Sequence, residues 1–199
     1  MISPGRRRGL PALLLLLVVA ALAAAGCAAP APSPAFDPAS ACTTDGRRPG
    51  AYPELEALLP PALDGVAPNT VDSGRSCTSE ALGSLHERGI RELRYAGATW
   101  DRGSEQGVTY AVFEAAGLDP ATMIEFYEAG ARATGRAEAL QVRPFELAGA
   151  AGVRLDTIHR SVGQTIIAWP GDEPGRVQVV LVSATGEPEL IRILEALIG

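Results

Sequence analysis

Beyond residue 90 the spacing of apolar positions changes period several times, and each change marks an element. Residues 91–100 and 108–115 read as strands, separated by the polar stretch Asp101-Arg102-Gly103-Ser104-Glu105-Gln106-Gly107, a connection suited to a hairpin. The second run, Val108-Thr109-Tyr110-Ala111-Val112-Phe113, is apolar on both faces and predicts a central strand. Four more strands are predicted over 140–147, 153–160, 164–169 and 176–184. The turn Pro170-Gly171-Asp172-Glu173-Pro174-Gly175 joins the last two. Pro144 has no N–H to give to a ladder, so its strand belongs at an edge or a bulge.

Helical spacing appears in four places. Pro53 to Leu59 puts Leu55, Leu58 and Leu59 on one face and is stopped by Pro60-Pro61. Thr78 reads as an N-cap ahead of Ala81, Leu82 and Leu85, with Gly89 as the stop. Asp119 and Pro120 open a helix carrying Met123, Phe126 and Tyr127, closed by Gly135. Residues 187–198 form an amphipathic C-terminal helix with Leu190, Ile191, Leu194, Leu197 and Ile198 inward. The expected fold class is α+β, a largely antiparallel sheet of about five to six strands with two to three packed helices in a single domain. This order of hairpin, helix, several strands and terminal helix resembles the PsbP-like α/β/α sandwich family, which includes bacterial lipoproteins. No motif carries residue roles across.

The first fifty residues follow a different pattern. Arg6, Arg7 and Arg8 precede an unbroken apolar run over 10–25, the layout of an export signal. The tetrapeptide Ala24-Ala25-Gly26-Cys27 follows, then a segment alternating Ala, Pro and Ser. The tetrapeptide resembles a lipobox, the site at which bacterial lipoprotein precursors are lipidated on the Cys thiol and cleaved before it. Its first position, usually Leu, is Ala24 here. The resemblance implies a signal peptide over 1–26, acyl chains of the palmitate type on Cys27, and a lipid-anchored location on the extracytoplasmic face of the cell membrane. Two rival readings stand beside it. One is an uncleaved anchor, for which the run falls short of the roughly 20 apolar residues a span needs. The other is cleavage at a nearby Ala-x-Ala site, with Cys27 incidental. Residues 27–51 read as an Ala/Pro-rich tether that favours extended polyproline II, and residues 52–199 as the α+β globular domain.

Charge sharpens this picture. The whole chain carries −6, and loss of the three leading arginines leaves about −9 on the mature protein. An acidic body gains nothing from counterion release on nucleic acid and is repelled by anionic head groups, so nucleic acid is excluded as a partner. Membrane attachment then needs the covalent lipid. Cys42 and Cys77 remain once Cys27 is set aside, an even pair in an oxidising compartment, and a disulfide between them is expected.

Catalytic chemistry is thinly represented. His86 and His159 lack a second His or Cys at metal-ligand spacing, so no metal and no cofactor is expected. Gly74-Arg75-Ser76-Cys77 places a serine in a turn without the nucleophile-elbow pattern, leaving Ser76 and His159 as the only hydrolase candidates. Trp100 and Trp169 each close a strand next to a polar turn. With Tyr95, Tyr110 and Phe113 they are the first candidates for ligand binding, against the alternative of a sheet-end core cap. The functional expectation is a membrane-anchored extracytoplasmic lipoprotein acting as a non-enzymatic accessory or protein-binding domain. The alternatives are a carrier of a small apolar ligand or lipid, and a hydrolase.

Overall fold

The computed structural model describes residues 36–103, 105–135, 137–159 and 161–198. The export segment, Cys27 and the tether up to residue 35 lie outside them. Among the described residues the chain forms strands β1 (Gly46–Arg48), β2 (Thr70–Ser76), β3 (Leu93–Gly103), β4 (Gln106–Glu114), β5 (Ala137–Leu147), β6 (Ala150–His159), β7 (Val162–Pro170) and β8 (Arg176–Ser183). The helices are α1 (Pro53–Glu56), α2 (Ser79–Leu82), α3 (Ser84–Glu87), α4 (Pro120–Ala133) and α5 (Glu187–Ile198).

All eight strands join one antiparallel sheet in the order β1-β2-β3-β4-β8-β7-β6-β5. This corrects the expected α+β class of five to six strands with two to three helices: the fold is mostly sheet, with eight strands and five helices. The two unforeseen strands are Gly46-Arg47-Arg48 and Thr70-Val71-Asp72-Ser73-Gly74-Arg75-Ser76. Neither shows apolar alternation: on the covered face of β2 only Val71 is apolar, beside Ser73, which bonds the Tyr52 N–H and Glu56 at α1, and Arg75, which bonds the strap, while Thr70, Asp72 and Ser76 line the open face. The extra helix arises at Gly83, whose φ of 48° breaks the expected helix over 78–89 into α2 and α3. The apolar run read as central is indeed interior, β4 lying between β3 and β8, and the strand holding Pro144 is an edge.

Each face of the sheet carries its own core. On the first face Trp100, Tyr110, Ile167 and Val180 pack with Leu55 and Leu59 of the α1 region and Leu190, Ile193 and Leu194 of α5. On the second, Leu155, Ile166, Ala168 and Val179 pack with Leu82 and Leu85 of α2 and α3 and with Met123 and Ile124 of α4. Fully burying a side chain of this size contributes about 1.5–3 kcal/mol. The α4 helix starts where the sequence predicts: Asp119 Oδ1 accepts from the Thr122 N–H at 2.7 Å, and Pro120 fills the first helical position. It lies over β6 and β7, at the far side of the second face from β2.

Residues 36–50, expected as part of the tether, belong to the same compact unit as the sheet. Two glycines let them approach. A side chain at Gly74 would collide with the Gly46 carbonyl, and one at Gly46 would collide with the Phe36 ring.

Candidate functional site

The strands β2, β3 and β4 are covered on one face and largely bare on the other. Along β3, Ala96, Ala98 and Trp100 are buried on the first face, whereas Tyr95, Gly97 and Thr99 are only half-buried on the second. The register sets Thr70 beside Thr99 and Thr99 beside Thr109, and sets Gly97 beside Ala111. Small side chains at Gly97 and Ala111 therefore lower the middle of the sheet surface, and larger ones rise around it. The result is an open trough of about 510 Å³, inside the range of roughly 300–1,000 Å³ common for small-molecule sites.

Its wall is aromatic. Tyr95 and Phe113 are cross-strand partners with ring centroids 6.0 Å apart. Phe113 meets Tyr127 of α4 edge-on at 6.4 Å, and Phe126 meets Tyr127 at 5.7 Å. Burial pushes the Tyr127 phenol up to about 12, so it stays a hydrogen-bond donor at neutral pH. Burial likewise raises Tyr95. The far rim holds Arg47 of β1 and Asp72 of β2, 3.6 Å apart. A second, more apolar crevice of about 250 Å³ continues under the C-terminal half of α4, between Ala131, Ile166 and Leu181.

The rim at Arg47 is held by the strap over 36–48, which is fastened at three points. Arg75, 2% exposed, donates to the carbonyl oxygens of Asp37 (3.2 Å), Pro38 (3.3 Å), Ser40 (2.7 Å) and Ala41 (3.1 Å), and its guanidinium lies over the Phe36 ring. Cys42 and Cys77 stand at disulfide distance, with Cα atoms 5.4 Å apart. Asp45 accepts from the backbone N–H groups of Cys77 (2.5 Å) and Thr78 (2.9 Å) and from the Thr78 hydroxyl. Burial pushes the Asp45 carboxyl up, but these donors outweigh it and hold it below its usual range.

A separate polar knot ties α5 to β6. Buried Arg154 makes a bidentate pair with Glu187 (2.7 and 2.8 Å) and bonds Asp156 at 2.9 Å, while the Thr165 hydroxyl donates to Asp156 at 2.6 Å. The Arg154 bonds hold Glu187 below its usual range. For Asp156 burial acts upward, and the Thr165 and Arg154 bonds prevail to lower it. Every member of this knot is occupied by another member, which marks it as a structural tie.

The residues singled out from sequence divide between the two faces. Trp100 (2% exposed) and Trp169 (4%) lie in the first-face core with Tyr110, and the Trp100 indole donates to the Val66 carbonyl at 2.8 Å. They cap the sheet from inside and do not reach the trough. Tyr95 and Phe113, named with them, do line it. Ser76 ends β2 and His159 ends β6, with four strands between them. At about 4.8 Å per strand the fold keeps these two backbone positions apart in the sheet rather than bringing them together. Among the described residues no three His, Cys, Asp or Glu groups gather to hold a metal, and no helix is long and apolar enough to cross a membrane. The trough floor itself was missed, although strand parity carried the signal: odd positions 95, 97 and 99 sit opposite the even positions that hold the apolar core.

No family model matches the chain. No curated protein matches it either.

Proposed function

We propose that this chain is the precursor of an extracytoplasmic lipoprotein, acylated on Cys27, whose folded part is a non-enzymatic accessory domain that binds through the trough on β2, β3 and β4. The observation that carries the binding role is the contrast between the faces of these strands. One is sealed by α1 and α5, and the other leaves aromatic rings and hydroxyls open to solvent. A surface of this size with aromatic walls is well suited to hold a ligand or a partner's side chains. The location rests on the lipobox and on charge, since an acidic body needs acyl chains to remain at an anionic bilayer. The strap supports the pairing of the two ideas. It roots the end of the tether in β1, β2 and the disulfide, so the trough rim at Arg47 is held by the same segment that leads to the lipid.

Two experiments test this reading. Cys27→Ser moves the protein out of the membrane fraction and removes the acyl mass from the intact protein; membrane retention at unchanged size contradicts the anchor. For the binding role, a benzophenone side chain at Thr109 on the trough floor gives light-dependent adducts in intact cells, and the same group at exposed Glu195 of α5 does not. Equal yields at the two positions contradict the assignment of the trough.

A further inference from the structure

We infer that the trough takes a neutral, polyhydroxylated ligand, one or two sugar rings of a glycan; this rests on the reading of the domain as a binding module. The first argument is charge. Arg47 and Asp72 are the only charged residues lining the trough among the described residues, and they face each other at 3.6 Å. Their charges cancel, so an anionic or cationic ligand finds no uncompensated partner, while a guanidinium and a carboxylate side by side offer paired donors and acceptors. Vicinal hydroxyls match that pairing.

The second argument is the unused hydrogen-bonding capacity of the floor and walls. The hydroxyls of Thr70, Ser76, Tyr95 and Tyr127 have no partner among the described protein atoms, and Thr99 and Thr109 have only each other, at 3.3 Å. An acyl chain lying here would cover these groups without satisfying them, at about 1–3 kcal/mol for each group buried unpaired. A peptide would find the backbone of β3 already committed on both sides to β2 and β4, so its main chain would gain no ladder to join. A pyranose ring presents an apolar C–H face and a hydroxyl rim. The first suits the Tyr95, Phe113 and Tyr127 rings, and the second suits the hydroxyls and the Arg47–Asp72 pair.

The third argument is depth. Gly97 has no positive φ, and a Cβ built on it meets the Tyr110 carbonyl oxygen at 3.8 Å and the Ala111 Cβ at 3.9 Å, ordinary contact distances. The packing of the sheet therefore does not demand glycine at this position. A glycine here opens room for a ring above the sheet.

The test is a titration of the membrane-purified chain in lipid nanodiscs, free of sugar-based detergent, followed by amide correlation spectra. The probes are maltose, cellobiose and N,N′-diacetylchitobiose, with galacturonic acid as the charged arm and dodecanoate as the apolar arm. At least one neutral disaccharide shifts the amides of Gly97, Thr99 and Thr109 saturably, and leaves those of Ile167 and Val180 unmoved. Gly97→Leu weakens that binding by about tenfold or more, the equivalent of at least ~1.4 kcal/mol. Tyr95→Phe, which keeps the ring and the fold, weakens it as well. If only dodecanoate or galacturonic acid saturates these amides, the ligand class is overturned while the binding role stands. If Tyr95→Phe binds a disaccharide as tightly as the wild type, the hydroxyl argument is overturned. If no probe shifts the trough amides, the inference falls, and the adducts at Thr109 then decide separately whether the trough binds anything.

Discussion

The two faces of β3 and β4 are built from the same strands, one residue out of phase, and they have opposite fates. On the first face Trp100, Tyr110 and Val112 are sealed under α1 and α5. On the second, Gly97, Thr99 and Thr109 are left to solvent because α4 sits over β6 and β7 instead. The helices could in principle have covered both halves. The side chains explain why the floor and far rim stay open: large aliphatic and aromatic groups reward burial, as the trough's own wall rings do by packing on one another and on α4, whereas a glycine, two threonines and an Arg–Asp pair offer little apolar area to remove from water.

Substitutions on opposite faces should therefore separate sharply. Trp100→Ala removes a buried ring and its bond to the Val66 carbonyl, at about 3–5 kcal/mol in urea denaturation, while Thr109→Ala at the trough changes stability by no more than about 1 kcal/mol. The covalent fastening of the strap comes next. Replacing Cys42 and Cys77 by serine lowers stability by about 4 kcal/mol on the loop-entropy estimate, read as a fall in the urea midpoint. Arg75→Met leaves the Pro38 and Ser40 carbonyls without the guanidinium donor, takes one of the donors from those of Asp37 and Ala41, and lowers stability by about 2–3 kcal/mol, with faster amide exchange confined to the strap and β1.

How far the sequence revealed these two faces depends on apolar content. The six strands with apolar runs were legible, and so was the helix opened by Asp119 and Pro120, because its cap and spacing agree. The strands β1 and β2 were not legible, since Gly46-Arg47-Arg48 and the Asp-Ser-Gly-Arg run of β2 are polar and are held by Arg75, Asp45 and the disulfide rather than by apolar packing. The site was half legible. Aromatic residues near turns drew attention to the right strands, but Trp100 and Tyr95 lie on opposite faces, and their enrichment alone gave no way to tell a core cap from a trough wall.

Acid should act on the ties rather than on the trough. Asp45, Asp156 and Glu187 all have lowered carboxyl values in the folded protein. A lowered folded value means their contribution is fully present above the ordinary values of 3.8 for Asp and 4.5 for Glu and is lost as pH falls through the folded ones. Urea midpoints therefore stay level from neutral pH down to about 5 and then decline. Arg154→Met shallows that decline, because Asp156 and Glu187 lose the partner that lowers them. Gly97→Leu has an effect on stability as small as that of Thr109→Ala, within about 1 kcal/mol of wild type, although it fills the trough.

That pairing of a small effect on folding with a large effect on occupancy gives the most direct measurement. Native mass spectrometry compares the wild-type chain and Gly97→Leu, each released gently from its own membranes. The account predicts a bound species on the wild type that is absent from the variant, with both proteins folded and equally acylated. Identical spectra from the two would contradict it, because filling the trough would then have displaced nothing.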